Sequence, residues 1–219
     1  MLASQPGKKL DCYIADYVVF DLETTGCSAK SDAVVEISAV KVINGQIVDE
    51  FSTLVNPERP IPEQASYVNG ITDDMVIDAP IFQVALREFL DFAGDMVLVG
   101  HNIHAFDMKF ICRDALNFWG QTIGNDYIDT YQLSKVILPD LTCHQLGFLA
   151  EYFGFSSSGA HRALADCKMN QHVYEALGQE LSKIPRCPKC ENLLKKREGK
   201  FGPFLGCSAF PNCRYTRDL

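Results

Sequence analysis

The fold is decided by one stretch near the N-terminus, Val18-Val19-Phe20-Asp21-Leu22-Glu23-Thr24-Thr25-Gly26. Its β-branched and aromatic residues favour a buried strand, and the threonines and glycine end that strand. Asp21 and Glu23 are two residues apart, so a strand directs both carboxylates to the same face. Acidic residues are disfavoured in strands. Either the two acids lie beyond the strand end in solvent, or they bind a divalent cation such as magnesium or manganese.

Two further strand-like runs follow, and the turn between them predicts an antiparallel start to a sheet. The runs cover residues 33–42 and 46–55, and Asn44-Gly45 is a strong two-residue hairpin signal. After Asp78-Ala79-Pro80, apolar residues recur at helical spacing, and a short apolar strand follows at 96–100. Hairpin strands followed by alternating helix and strand predict an α/β fold, with a mixed sheet flanked by helices.

Two more acidic segments lie where a predicted strand or loop is followed by a helix. In Gly100-His101-Asn102-Ile103-His104-Ala105-Phe106-Asp107, the last residue begins a helix, and its ordinary explanation is an acid favoured by the helix dipole. In His161-Arg162-Ala163-Leu164-Ala165-Asp166, the first and last residues would lie about 140° apart on a continuous helix. His161 can therefore reach a site shared with Asp166 only from the Ser/Gly-rich loop before the helix. Together, the three segments predict one acidic site.

These three segments resemble, in order and approximate spacing, the three exonuclease motifs of the DEDD superfamily. A histidine five residues before the last aspartate marks the DEDDh branch, because the other branch carries tyrosine where Arg162 stands. The resemblance covers about residues 14–182 and points to the proofreading subunits and exonuclease domains of bacterial replicative polymerases. One departure is that three residues, where two are common, separate Asn102 from Phe106.

The resemblance implies a ribonuclease H-like fold and a site for two magnesium or manganese ions. It assigns Asp21 to both ions, completes their ligands with Glu23 and Asp166, and gives Asp107 the second ion, directly or through water. It makes His161 the general base, and a histidine pKa of about 6.5 suits proton transfer at neutral pH. Two ions about 4 Å apart stabilise both the entering and the leaving oxygen. The substrate contacts that it implies are Leu22, Thr24, Thr25 and Asn102.

Four of the nine cysteines form a second pattern near the C-terminus. Cys187 and Cys190 are followed after sixteen residues by Cys207 and after five more by Cys213. This spacing is typical of one structural zinc ion, and the alternative, disulfides, is disfavoured in a reducing compartment. Because such a short segment has only a small hydrophobic core, zinc would supply most of its folding energy. Residues 200–215 resemble the C-terminal zinc ribbons of type IA topoisomerases, which are associated with single-stranded DNA.

Charge is unevenly distributed along the chain. The net charge is −8, but residues 185–219 hold eight Lys/Arg and three Asp/Glu, a formal +5, which leaves −13 for residues 1–184. An acidic body can still bind phosphates once divalent ions are bound. The basic tail also carries aromatic residues, a mixture that suits the backbone and bases of a single strand. Of these, Phe204 and Phe210 are expected to form the small core of the ribbon.

We therefore expect a flexible N-terminus at residues 1–11, an exonuclease domain at 12–183 and a zinc ribbon at 185–219. The expected reaction is hydrolysis of the 3′-terminal phosphodiester with release of nucleoside 5′-monophosphates, and single-stranded DNA is favoured over RNA. An RNA 3′–5′ exonuclease and a non-catalytic nucleic-acid-binding accessory protein are the alternatives, and a DNA polymerase or repair partner is compatible with all three. No apolar run approaches the roughly 20 residues of a membrane helix, so no membrane association and a cytoplasmic location are expected.

Overall fold

The structure is a computed structural model that describes residues 1–156 and 162–219. The strands are β1 (Leu2–Ala3), β2 (Tyr17–Thr24), β3 (Val34–Ile43), β4 (Gln46–Leu54), β5 (Val97–Gly100), β6 (Thr122–Ile123), β7 (Tyr127–Asp129), β8 (Leu194–Gly199), β9 (Gly202–Cys207) and β10 (Thr216–Asp218). The helices are α1 (Glu63–Asn69), α2 (Asp73–Val76), α3 (Phe82–Ala93), α4 (Asp107–Trp119), α5 (Thr130–Ile137), α6 (Leu146–Tyr152) and α7 (Ala163–Lys183).

The central sheet has the strand order β4-β3-β2-β5-β7. Strands β2, β3 and β4 pair antiparallel, whereas β5 runs parallel to β2 and β7 runs parallel to β5. The turn between β3 and β4 places Asn44 at φ 50° and Gly45 at φ 74°, the positive values that a tight two-residue hairpin requires. The mixed α/β sheet flanked by helices that the sequence predicts is confirmed.

Strand β2 is buried on both faces, and its alternation decides where the acids lie. Val18, Phe20 and Leu22 belong to the core that α3 and α4 cover. Tyr17 and Val19 belong to the core that α5, α6 and α7 cover. Because alternate residues of a strand share a face, Asp21 and Glu23 continue the second set. The carboxylates therefore emerge at the end of β2 on the side of the sheet that α7 covers.

The N-terminal residues 1–11 differ from the flexible segment that their composition predicts. Strand β1 pairs with β6, the Gly7 N–H donates to the Ile123 carbonyl at 3.0 Å, and the Leu10 N–H donates to the Tyr127 carbonyl at 2.8 Å. Strand β7 is at the edge of the central sheet, so its outer carbonyl would otherwise face solvent. The N-terminal segment covers this edge, a role that depends on the sheet order and not on local composition.

The C-terminal residues form a separate three-stranded antiparallel sheet with the order β10-β9-β8. Its small core consists of the four cysteines with Leu194, Leu205, Ala209 and Tyr215. The prediction that Phe204 and Phe210 form this core is wrong, because the cysteine cluster occupies the centre. Phe210 is 58% exposed, and Phe204 lies outside the core cluster. Leu193, at the base of the ribbon, packs instead into the α7-side core of the larger domain.

None of the helices in the described part of the chain has the length and apolar character that a bilayer crossing requires.

Candidate active site and zinc centre

Three carboxylates from distant parts of the sequence meet at the end of β2. One side-chain oxygen from each of Asp21, Glu23 and Asp166 lies within 4.8 Å of the others. The first two come from β2, and Asp166 comes from the first turn of α7, which packs across that strand. Carboxylate oxygens are the ligands that magnesium and manganese prefer, so these residues fit a site for such ions.

Asp107 joins this cluster through the backbone of β2. It is the first residue of α4, is only 3% exposed, and accepts a hydrogen bond at 3.2 Å from the N–H of Leu22. Since Leu22 stands between Asp21 and Glu23, the bond places the Asp107 carboxylate beside the other acids. The structure therefore brings together the four acids of the three predicted segments.

Burial raises the pKa values of the acids, and neighbouring carboxylates raise those of Asp21 and Glu23 further. Burial is the largest cause for Asp21, whose pKa is raised further by Asp107, Glu23 and Asp166. Burial and the neighbouring Glu36 raise the pKa of Glu23 to about 7, and burial raises that of Asp107 to about 7. A cluster that disfavours its own negative charge is stabilised by cations, which supply the missing positive charge.

Glu36 is a fifth acid at this site that the sequence analysis missed. It lies directly opposite Glu23 in the pairing of β2 with β3 and is only 3% exposed. Arg162, immediately before α7, donates to it from Nη2 at 3.1 Å and from Nε at 3.4 Å. The signal was available, because Glu36 interrupts the apolar strand β3 as Asp21 interrupts β2. Its partner could not be predicted from local sequence.

The loop before Asp107, which has one residue more than the common motif, is held by Asp129. The Asp129 carboxylate accepts hydrogen bonds from the N–H groups of Asn102 and His104, both at 3.1 Å. Asn102 adopts φ 63°, and the ring of His104 lies 2.6 Å from the hydroxyl of Tyr127 through Nδ1. Asp129 is 2% exposed at the end of β7. The additional residue is therefore accommodated in a turn with defined partners.

A buried polar group links the second and third acidic segments behind the site. The Thr130 hydroxyl donates to Asn170 Oδ1 at 2.8 Å and lies 2.9 Å from His101 Nδ1. Asn170 is one helical turn after Asp166 on α7, and therefore on the same side of the helix. Burial lowers the pKa of His101 to about 4, so its imidazole is neutral near pH 7. The sequence analysis assigned no role to Thr130 or Asn170.

The predicted substrate contacts fare differently from one another. Leu22 is 5% exposed in the core, and its N–H donates to Asp107, so its role as a substrate contact stays a prediction. Thr25 is equally buried and bonds to Ala33 through its hydroxyl at 3.0 Å, as a turn residue does. Thr24, which follows Glu23 in β2, and Asn102, in the loop before Asp107, are partly exposed. His161, the predicted general base, lies outside the described residues.

The four cysteines of the ribbon converge, as the zinc prediction requires. All four sulfurs lie within 4.8 Å of one another; Cys187 and Cys213 are 3.7 Å apart, and Cys190 and Cys207 are 3.4 Å apart. Four thiolates about 2.3 Å from one zinc ion would stand roughly 3.8 Å apart in a tetrahedron. Hydrogen bonds from Asn192 lower the pKa of the Cys190 thiol to about 6, whereas burial raises the pKa of Cys207 to about 12, so Cys190 forms a thiolate more readily than Cys207.

The mixed sheet, with acids gathered at the end of its central strand, defines a nuclease of the ribonuclease H-like class. Residues 18–174 match the exonuclease family, and the chain belongs to that family. Residues 184–219 match the topoisomerase DNA-binding C4 zinc finger. The resemblance of the two segments to DEDDh exonucleases and to topoisomerase zinc ribbons is thereby confirmed.

The chain is similar to a segment of much larger bacterial polymerases. It is 41% identical over 158 residues to the PolC-type DNA polymerase III of Clostridium perfringens, covering 72% of this chain and 11% of the polymerase. The PolC-type enzyme of Staphylococcus aureus is 39% identical over 172 residues, covering 78% of this chain and 12% of the polymerase. The chain thus spans about one-eighth or less of the length of these relatives.

Solved exonuclease structures share the fold. Exonuclease X in complex with 5′-overhanging duplex DNA superposes with a TM-score of 0.59 at 26% identity, covering 76% of this chain and 92% of the other. Escherichia coli Exonuclease I in complex with a dA16 oligonucleotide has a TM-score of 0.64 at 15% identity, covering 92% of this chain and 53% of the other. At 15% identity, the second likeness concerns the fold alone.

Proposed function

We propose that this chain removes nucleotides from the 3′ end of single-stranded DNA, releasing nucleoside 5′-monophosphates, with two magnesium or manganese ions bound by its acids. The observation that carries the proposal is the meeting of Asp21, Glu23 and Asp166 within 4.8 Å, with Asp107 bonded to the backbone between the first two. Residues 12–183 are the proposed catalytic domain, and residues 185–219 are the proposed zinc ribbon.

In this proposal each acid has a separate task. Asp21 would be a ligand of both ions, Glu23 and Asp166 would complete their ligands, and Asp107 would hold the second ion directly or through water. Bound divalent ions would stabilise the negative charge that develops on the entering and leaving oxygens. Thr24 and Asn102 are the proposed contacts of the terminal nucleotide, and His161 stays a prediction as the base that accepts a proton from the attacking water.

The preference for DNA is supported by the relatives, and the preference for single strands by the ribbon. Both polymerase relatives are DNA polymerases, and Exonuclease X was solved with DNA. On the ribbon, Phe201 is 97% exposed beside Lys200, and Arg197 lies 5.7 Å from the ring of Phe210. Exposed rings beside cations suit unpaired bases and their phosphates.

The test is digestion of 5′-labelled DNA and RNA oligomers of the same sequence, with magnesium, with manganese and with a chelator. The proposal requires a ladder that shortens from the 3′ end, faster loss of DNA than of RNA, and no cleavage with chelator. Asp21→Asn should lower the rate at least about a thousandfold, and His161→Ala should lower it about 10²–10⁴-fold. The control is Asp91→Asn, an exposed acid on α3, which should cleave like the parent.

The same assay separates the two alternatives. Faster digestion of RNA would favour an RNA exonuclease, in which the 2′-hydroxyl is accommodated at the site. Binding of oligomers without cleavage under any metal condition would favour a non-catalytic accessory protein.

A proofreading role beside a DNA polymerase is a second candidate, favoured by the 41% identity to a PolC-type polymerase. Preferential removal of a mismatched 3′-terminal nucleotide from a primer, and co-elution with a purified polymerase, would support it. Equal removal of paired and mismatched ends would count against it.

A further inference from the structure

The zinc ribbon is attached at the end of α7 remote from the acids. Helix α7 carries Asp166 in its first turn and ends at Lys183, so 17 residues at about 1.5 Å each separate the two by roughly 25 Å. The ribbon is fixed at that end, because Leu193 packs into the core of the larger domain.

Helix α5 lies between the acidic site and the ribbon. It begins directly after Asp129, whose carboxylate holds the loop that precedes Asp107. In the loop after α5, the Asp140 carboxylate lies 3.7 Å from Nζ of Lys196 on the ribbon. The surface of α5 is therefore a continuous route from one functional part of the molecule to the other.

The outer face of α5 has the chemistry that a single strand requires. Nζ of the exposed Lys135 lies 4.1 Å from the ring centroid of the partly exposed Tyr131. Tyr131 makes edge contacts with the rings of His101 at 5.6 Å and His144 at 6.4 Å. These neighbours hold the ring in place, so an unpaired base could stack on it at little entropic cost while Lys135 binds phosphate.

The ribbon, beyond the end of α5, also has aromatic rings next to cationic side chains. A cavity of about 240 Å³ is lined by Phe204, Phe210 and Tyr215, and Arg197 and Arg214 also line it. An apolar surface next to guanidinium groups suits stacked bases with phosphates alongside.

We infer that the strand runs from the acidic site along α5 to the ribbon, so that the ribbon acts only on strands above a minimum length. The inference rests on the proposed function. The 3′ end of the DNA strand would lie at the acids, and its 5′ portion would lie on the ribbon. A span of roughly 25 Å corresponds to about seven nucleotides stacked at about 3.4 Å each. A strand of about four nucleotides occupies the acidic site without reaching the ribbon.

The experiment measures KM on single-stranded DNA from about 4 to about 20 nucleotides, with the full chain and two variants. Phe201→Ala changes a ring on the ribbon that is 97% exposed, so it leaves the core of the ribbon intact. Lys135→Ala changes the middle of the route. Each should raise KM at least about fivefold on 20-nucleotide strands, and the Lys135→Ala effect should begin at shorter lengths than that of Phe201→Ala.

The matched control is Lys41→Ala. Nζ of Lys41 lies 4.5 Å from the ring of Phe92, so it forms the same kind of pair as Lys135, but Phe92 packs with the α3-side core on the opposite face of the sheet. Lys41→Ala should show no dependence of its effect on strand length. The inference is overturned if Phe201→Ala raises KM equally at all strand lengths, or if it leaves KM on long strands unchanged.

Failure of the proposed function would be recognised separately. If the parent cleaves no strand with any divalent ion, that function fails, and binding by Asp21→Asn protein still measures the span. The dissociation constant should then fall steeply between about four and about ten nucleotides in Asp21→Asn, and less steeply when Phe201→Ala is added. The inference is overturned if the dissociation constant of Asp21→Asn does not change with strand length. It is also overturned if adding Phe201→Ala leaves that length dependence unchanged.

Discussion

Glu36 stands opposite Glu23 across the β2–β3 pairing, so two carboxylates from neighbouring strands lie side by side at the acidic site. Among the described residues, Arg162 forms its ion pair with Glu36 and also lies close enough to Glu23 to lower the pKa of that acid. Arg162 neutralises Glu36 from the N-terminal end of α7, whereas Glu23 has its pKa raised by burial and by Glu36. The ion pair of Arg162 with Glu36 gives this acid a positive partner within the protein. It also ties α7, and with it Asp166, to β3.

Removing the arginine should therefore destabilise the protein. Arg162→Gln leaves the buried Glu36 carboxylate without its partner, and we expect a loss of about 1–2 kcal/mol in the free energy of unfolding. The value is below the full penalty for breaking a buried pair because about half of the Arg162 side chain is exposed. Urea unfolding without divalent ions measures it. Adding Glu36→Gln should recover part of the loss; a double variant as unstable as the sum of the two single variants would contradict this account.

Divalent ions should stabilise the folded chain. Removing the charge of one acid should also stabilise it, but by less. Burial and the repulsion from neighbouring acids raise the pKa of Asp21, and Asp21→Asn removes the charge on which both act. In chelator, Asp21→Asn should unfold at a higher temperature than the parent. Magnesium at about 100 times its dissociation constant should add about 2.7 kcal/mol to the parent and less to the variant. Thermal unfolding with increasing magnesium tests both statements, and a variant less stable than the parent in chelator would refute the first.

The sequence predicted those parts of the site whose chemistry is unusual for their local position. Asp21 and Glu23 stand in an apolar strand, and the four cysteines have a spacing that few other roles require. Asp107 is predicted from its place in the second exonuclease motif, because an acid at the start of a helix is ordinary by itself. Each signal lies within a few residues, so it can be recognised without knowing what packs nearby. The same holds for the Asn44-Gly45 hairpin, whose positive φ values follow from the residue types.

The parts that were missed depend on contacts between distant segments. Asp129 resembles any helix N-cap until its bonds to the loop 27 residues earlier are known. Asn170 is an ordinary helix residue until Thr130 lies against it. The sequence analysis predicts Phe210 in the ribbon core, but the cysteine cluster fills that space and leaves the ring exposed.

His101 should make stability depend on pH in the mildly acidic range. Its pKa falls from the usual 6.5 to about 4 on folding because the ring is buried. The unfolded chain therefore binds more protons between pH 4 and 6.5, and stability is lost as the pH falls through that window, by an amount on the order of 1–3 kcal/mol. With saturating magnesium, urea unfolding of the parent should show this loss and His101→Gln should show less of it. Equal slopes for the two proteins would exclude His101 as a cause.

Loss of zinc should unfold the ribbon and leave the exonuclease domain folded. The ribbon core has few apolar residues besides the cysteines, so the metal–thiolate bonds supply most of its stability, whereas the larger domain has two extensive cores of its own. Cys207→Ser should lose the bound zinc and expose Lys195, Lys196 and Arg197 to trypsin, while residues 1–184 resist cleavage and unfold near the parent's temperature.

The control is Cys143→Ser, a partly buried cysteine outside the cluster, which should keep one zinc ion per chain. Zinc release on thiol modification, followed by mass analysis of the tryptic fragments, distinguishes the two variants. Simultaneous unfolding of both domains in Cys207→Ser would mean that the contact of Leu193 with the larger core, and not zinc alone, determines their stability.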